Sequence, residues 1–155
     1  MSELSPQLVT EINALLSRYE TKRSAILPIL HRIQDTYGWV KPEHIMILDK
    51  DFGLNRVHVK EVLTFYSMYR TEEPEKHRIL FCDNIVCSMM GAKEAMHEIE
   101  SYINEKKKNK KPCPISLHGV PCLGVCDGAP AMLVNKDRHL RVTKQNVRDI
   151  LSKLE

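Results

Sequence analysis

Apolar positions in the first half of the chain recur at helical spacing, in four separate runs. Leu8, Ile12, Leu15, Leu16 and Tyr19 form the first run, and Ser5-Pro6 before it supplies an N-cap residue and a proline at the first helical position. The second run covers roughly residues 22–37, with Ile26, Leu30, Ile33 and Tyr37 on one face. Pro28 sits early in it, where a missing N–H costs least, and Gly38 stops it. Pro42 opens a third, shorter helix carrying Ile45 and Leu48, which ends near Gly53. Asn55 caps a fourth from about 56 to 69, with Val59, Val62, Leu63, Tyr66 and Tyr69 facing inward. Four short amphipathic helices with brief connections predict a small bundle.

The pattern changes after Arg70-Thr-Glu-Glu-Pro-Glu-Lys76, a polar segment without periodicity that reads as a linker. Arg78–Cys82 is a short apolar run suited to a buried strand. From Ser88 to about Glu105, Met89, Ala92, Met96, Ile99 and Ile103 return to helical spacing. Ile115–Val120 alternates as a strand. Ala131–Val134 and His139–Val142 predict two more strands, with Asn135–Arg138 as the hairpin turn between them. Thr143 then caps a terminal helix holding Val147, Ile150, Leu151 and Leu154. The order β-α-β-β-β-α favours a small sheet packed by two helices, a thioredoxin-like arrangement. The expected class is α+β, with a helical bundle over residues 1–75 and a thioredoxin-like α/β domain over 76–155.

With 155 residues, 43% of them hydrophobic and 28% charged, the chain can bury a globular core, though its smaller half would be marginal alone. The longest apolar stretches run to about six residues, far short of the ~18 that suggest a membrane span. The opening Met1-Ser-Glu-Leu-Ser-Pro6 has no basic and no apolar region of a secretory signal, so a cytoplasmic protein is expected, free or docked on a larger complex. A net charge of +3 does not argue for nucleic acid. Much of the excess is one run, Lys106-Lys-Lys-Asn-Lys-Lys111, which reads as a solvated loop with no aromatics interleaved for base stacking.

Five cysteines in such a chain are expected to be reduced thiols, and their odd number argues against a closed disulfide framework. Four of them fall in two pairs. Cys82 and Cys87 bracket the predicted turn from strand to helix, and Cys122 and Cys126 lie in the loop Pro121–Pro130. A [2Fe–2S] rhomb takes two thiolates on each iron, so two separated pairs are a natural ligand supply. Cys87, just before the predicted helix, would feel free N–H groups that favour its thiolate. Gly124 would let the backbone approach closely. Spacing alone favours the cluster and leaves two alternatives, a zinc ion on the same four thiolates in an interaction module, and plain core or redox thiols. A thiol–disulfide oxidoreductase is weak, because there is no C-x-x-C. Cys113, between two prolines, reads as an ordinary loop cysteine. No G-x-G-x-x-G, P-loop or G-x-S-x-G occurs, so no nucleotide site and no catalytic site of its own is expected.

These residues resemble a known family, the thioredoxin-like [2Fe–2S] subunit of the NADH dehydrogenase module of respiratory complex I (its E subunit). The resemblance runs from about residue 24 to 155. Ser24–Gln34 looks like the family's first bundle helix, Tyr37-Gly-Trp-Val40 like the turn after it, and Val62–Tyr69 like its bundle-closing segment. Cys82-x4-Cys87 with Gly91, and Cys122-Leu-Gly-x-Cys126 followed by Ala129-Pro130 and Val134-Asn135, match its ligand loops. The chain departs from the family at Glu75-Lys76, where a glycine is common. It departs again at the lysine run and Pro-Cys-Pro, which replace a Gly-Thr…Asp-Gly stretch. The resemblance implies a [2Fe–2S] ferredoxin domain with Cys82, Cys87, Cys122 and Cys126 as ligands. It implies electron transfer beside a flavoprotein partner that binds NADH and FMN, in an NADH:quinone oxidoreductase. The equivalent subunit of a soluble NAD-linked hydrogenase or formate dehydrogenase is the alternative.

Overall fold

A computed structural model of the chain describes residues 4–154; residues 1–3, the start of the segment read above as no secretory signal, lie outside them. The chain divides into two compact units, Met1–Pro74 and Glu75–Glu155.

The first unit holds α1 (Pro6–Arg18), α2 (Ile26–Tyr37), α3 (Pro42–Phe52) and α4 (Arg56–Phe65), with a 3₁₀ turn at Arg23–Ala25 leading into α2. Local signals set the ends. Ser5 Oγ accepts from the Leu8 N–H at 3.3 Å, and Asn55 Oδ1 from the Val57 N–H at 2.8 Å. Gly38 ends α2 at φ 81° and donates to the Gln34 carbonyl at 2.8 Å. Leu8, Ile12, Ile29, Ile33, Leu48 and Val59 are buried in one core, each contributing about 1.5–3 kcal/mol by leaving water.

Three details differ from the sequence expectation. α4 stops at Phe65 rather than near 69, and a turn closed by the Tyr69 N–H on the Tyr66 carbonyl (3.1 Å) carries Tyr69 back into the core. There its hydroxyl donates to the Leu27 carbonyl at 2.8 Å, so burial is kept by a turn instead of a helical face. Tyr19, expected on the apolar face of α1, is the extended C-cap residue and is exposed. Arg70, expected in the linker, is tied to the helices: its N–H donates to Gln34 Oε1 at 2.7 Å and its carbonyl accepts from Val40 at 2.8 Å. His44, not singled out by periodicity, is buried against Tyr37 with ring centroids 4.6 Å apart, and its Nδ1 accepts from the Lys41 N–H at 3.1 Å.

The second unit runs β1 (His77–Cys82), α5 (Ile85–Met89), α6 (Ala92–Lys108), β2 (Ile115–Val120), a 3₁₀ turn (Cys126–Gly128), β3 (Met132–Val134), β4 (Asp137–His139) and α7 (Val147–Ser152). The four-stranded sheet has the order β2-β1-β3-β4. β1 and β2 are parallel, with α5 and α6 as the crossover, and the β1–β3 and β3–β4 pairs are antiparallel. Ile79 and Phe81 of β1, Ile99 of α6, Met132 of β3, and Val147 and Leu151 of α7 share the core.

The helix expected from Ser88 to Glu105 is split. Gly91 takes φ 94°, so α5 ends at Met89 and α6 begins at Ala92. Met89, expected in the core, is exposed on α5. β4 lies two residues earlier than expected, because Asn135 adopts φ 57° and pairing resumes at Val134↔Asp137. Val142 is buried outside the strand, its N–H on the Pro130 carbonyl at 2.9 Å. Thr143 acts one turn before α7, where its N–H donates to Asn146 Oδ1 at 2.8 Å. Lys106–Lys108 are not a loop but the last turn of α6, where cations oppose the free carbonyls. Among the described residues no helix is long and apolar enough to cross a membrane.

Candidate functional site

The parallel pairing of β1 with β2 sends both cysteine loops off the carboxyl end of two adjacent strands. The register ends at Cys82↔Val120, so the loops after the two strands leave from adjacent positions. The ladder extends one step further, with the Asp83 N–H on the Val120 carbonyl at 3.1 Å.

Cys82 is the last residue of β1, 3% exposed, and its N–H donates to the Ala131 carbonyl at 3.1 Å. Cys87 is 2% exposed. It does not precede a helix, as expected from the sequence, but lies inside the first turn of α5, whose N-cap is Asn84. Asn84 Oδ1 accepts from the Ile85 N–H at 2.9 Å, and Ser88 Oγ donates to the Asp83 carbonyl at 3.0 Å. Asn84 was missed in the sequence, although an Asn followed by Ile85-Val86 is an N-cap signal.

Cys122 and Cys126 are exposed. Cys122 Sγ accepts from the Gly124 N–H at 3.2 Å, and Cys126 opens the 3₁₀ turn. Gly124 takes φ 71°, a left-handed backbone that glycine adopts without strain, and a Cβ placed there would meet no other atom of the chain within 4 Å. At Gly128 a Cβ would stand 2.8 Å from Leu140 Cδ1.

Cys87 senses the other thiols. Burial pushes its pKa up, and the Ala131 backbone N–H on its sulfur pulls it down. A hydrogen bond with Cys82 and the proximity of Cys82 and Cys126 push it up again. Cys82, Cys87 and Cys126 therefore share one electrostatic neighbourhood, with Cys122 in the same loop as Cys126. Cys113 stands apart, half-buried against the core beside Ile103 and Ile115. Among the described residues no three His, Cys, Asp or Glu side chains gather as ligands to a single ion. The donor set is a buried pair and an exposed pair of thiols, with backbone N–H groups on two of the sulfurs. That set suits a group needing two soft thiolates on each of two irons.

A family model described as thioredoxin-like [2Fe–2S] ferredoxin matches residues 12–155. A relative from Aquifex aeolicus, the E subunit of NADH-quinone oxidoreductase, is 33% identical over 97% of this chain and 95% of its own length. The protein of the same name from Buchnera aphidicola is 30% identical over 94% of this chain and 85% of its own. A second such E subunit, from Rhizobium meliloti, is 33% identical over 83% and 77%. Among solved structures, an NAD⁺-reducing [NiFe]-hydrogenase in the air-oxidized state superposes with a TM-score of 0.65 at 19% identity, covering 86% of this chain and 24% of the hydrogenase chain. That likeness is one of fold, an α+β architecture of helices followed by a mixed sheet, and this chain spans about a quarter of the longer one.

Proposed function

The chain belongs to the thioredoxin-like [2Fe–2S] ferredoxin family, and from that premise we propose that Cys82, Cys87, Cys122 and Cys126 hold one [2Fe–2S] cluster in an electron-transfer subunit of an NADH:quinone oxidoreductase. The observation that carries the reading is the parallel β1–β2 register, which sends both cysteine loops off the same end of two adjacent strands in a chain of this family. Near-full-length identity to relatives from NADH-quinone oxidoreductase supports the parent assembly, while the hydrogenase likeness concerns the fold alone.

Bound there, the cluster supplies a one-electron carrier. The chain's own residues do the rest. Cys82 and Cys87 supply thiolates screened from water by the sheet and α6, and Cys122 and Cys126 supply thiolates at the surface, where an electron can enter or leave. The Ala131 and Gly124 N–H groups donate to the sulfurs of Cys87 and Cys122, stabilising negative charge on them. The first turn of α5 adds its dipole at Cys87. Hydride chemistry belongs to a flavoprotein partner that binds NADH and FMN; the present chain contributes no catalytic residue and works in the cytoplasm on the larger assembly.

Anaerobic purification from native cells tests this. The chain is expected to bring an FMN-containing protein with it, and NADH added to that preparation is expected to bleach the visible absorption and raise an EPR signal assigned to this chain. A co-purified assembly without flavin contradicts the proposed place beside the flavoprotein.

A further inference from the structure

Between Cys87 and Cys122 lie 34 residues, so no short covalent path sets the distance between the two cysteine loops. Strand pairing sets it only as far as Asp83 and Val120. Pro121, the next residue of the second loop, has no N–H with which to continue the ladder; what it offers is a carbonyl. That carbonyl accepts from Asn84 Nδ2 at 2.6 Å. The other end of the same amide, Oδ1, accepts from the Ile85 N–H at 2.9 Å and caps the helix that carries Cys87. The orientation of the amide is fixed by its partners, because a flip would set NH₂ against an N–H and oxygen against a carbonyl.

We infer that Asn84 is a positioning residue that sets the separation of the two ligand loops, one end of its planar amide holding the helix of Cys87 and the other the entry to Cys122. The inference rests on the cluster assignment proposed above. It also explains why asparagine, among the good N-cap residues, stands here. Aspartate and serine also cap a helix, but an aspartate carboxylate has no hydrogen to give Pro121, and serine is one atom too short to reach both partners.

The test uses the full chain as Asn84→Asp and Asn84→Ala beside the native protein. Asn84→Asp keeps the acceptor for Ile85, removes the donor to Pro121 and sets a carboxylate oxygen against that carbonyl, whereas Asn84→Ala removes both hydrogen bonds without adding charge. Three readouts are followed: far-UV circular dichroism for folding, the rate at which a chelator strips iron anaerobically, and the EPR line shape after reduction. Both variants are expected to keep the native circular dichroism, to release iron about tenfold faster, the scale of one hydrogen bond, and to show altered g-values. A fourth readout does not depend on iron. In the metal-free chain, amide exchange over residues 119–126 is expected to be faster in Asn84→Asp than in the native protein. If Asn84→Asp retains iron, spectrum and exchange like the native chain while Asn84→Ala does not, the cap alone matters and the bridge is overturned; native behaviour in both variants overturns it too. A native chain that takes up no iron would instead sink the cluster assignment, and the exchange comparison would still decide whether Asn84 ties the loops.

Discussion

Replacing Tyr69 by phenylalanine is expected to destabilise the chain at neutral pH and to stabilise it in strong alkali. Tyr69 is 4% exposed, and its hydroxyl donates to the Leu27 carbonyl at 2.8 Å. Burial, and secondarily Tyr66, push its pKa from 10.0 up to about 12. The protonated phenol is thus favoured by the fold: its contribution is whole below pH 10 and is lost as pH rises through about 12, because the unfolded chain releases the proton first. At about 1.36 kcal/mol per pKa unit, the loss across that window approaches about 2.7 kcal/mol. Below it, Tyr69→Phe forfeits one net hydrogen bond, about 1 kcal/mol. The two stability curves should therefore cross between about pH 10 and pH 11. Urea unfolding of both full-length proteins, from neutral pH to about 11.5, reads this directly, and only the difference between them matters, since other groups titrate in both. A constant offset across the whole range would mean that Tyr69 titrates no later in the folded chain than in the unfolded one.

Other consequences concern the same two units. The pKa of His44 is lowered by burial first and by Lys41 second, with Glu43 opposing, so below pH 6.5 the unfolded chain takes a proton that the folded chain refuses. Stability should fall as pH drops from 6.5 toward that lowered value, and His44→Gln should lack this component; equal slopes for the two proteins in urea titrations would count against it. In the reduced, metal-free chain, alkylation followed by mass spectrometry should label exposed Cys122 and Cys126 well before Cys82 and Cys87, which are 3% and 2% exposed; simultaneous labelling would contradict the site's layout. Gly53→Ala should cost about 1–2 kcal/mol through its left-handed backbone. Its φ is 67° and a Cβ would stand 2.8 Å from Lys22 Nζ, itself bonded to the Phe52 carbonyl, so an unchanged urea midpoint would be inconsistent with that geometry.

What could be read in advance was what neighbouring residues decide. Ser5-Pro6, Gly38, Gly53 and Asn55 each act within a turn or so of their own position, and each marks an observed helix end. The strands near 78–82 and 115–120 were legible as apolar or alternating runs, but their parallel pairing and the strand order were not, since both depend on contacts far apart in sequence. Periodicity overran α4, because Tyr69 is just as buried after a turn as it would be on a helix. It merged α5 with α6, because a left-handed residue at Gly91 interrupts the backbone without interrupting the apolar spacing. At the site, the four thiols were visible by type and spacing. The division into a buried and an exposed pair, and the amide of Asn84 that reaches Pro121, come only from how the loops lie on the sheet.

Iron and acid-labile sulfide, counted per chain in anaerobically purified protein, bear most directly on the central claim. Four thiolates around a binuclear centre predict about two irons and about two sulfides per chain, and alanine at Cys82 or at Cys126, which offers no donor atom, should abolish both. Zinc in place of iron, no labile sulfide, or a native complement retained in either alanine variant would contradict four-cysteine ligation.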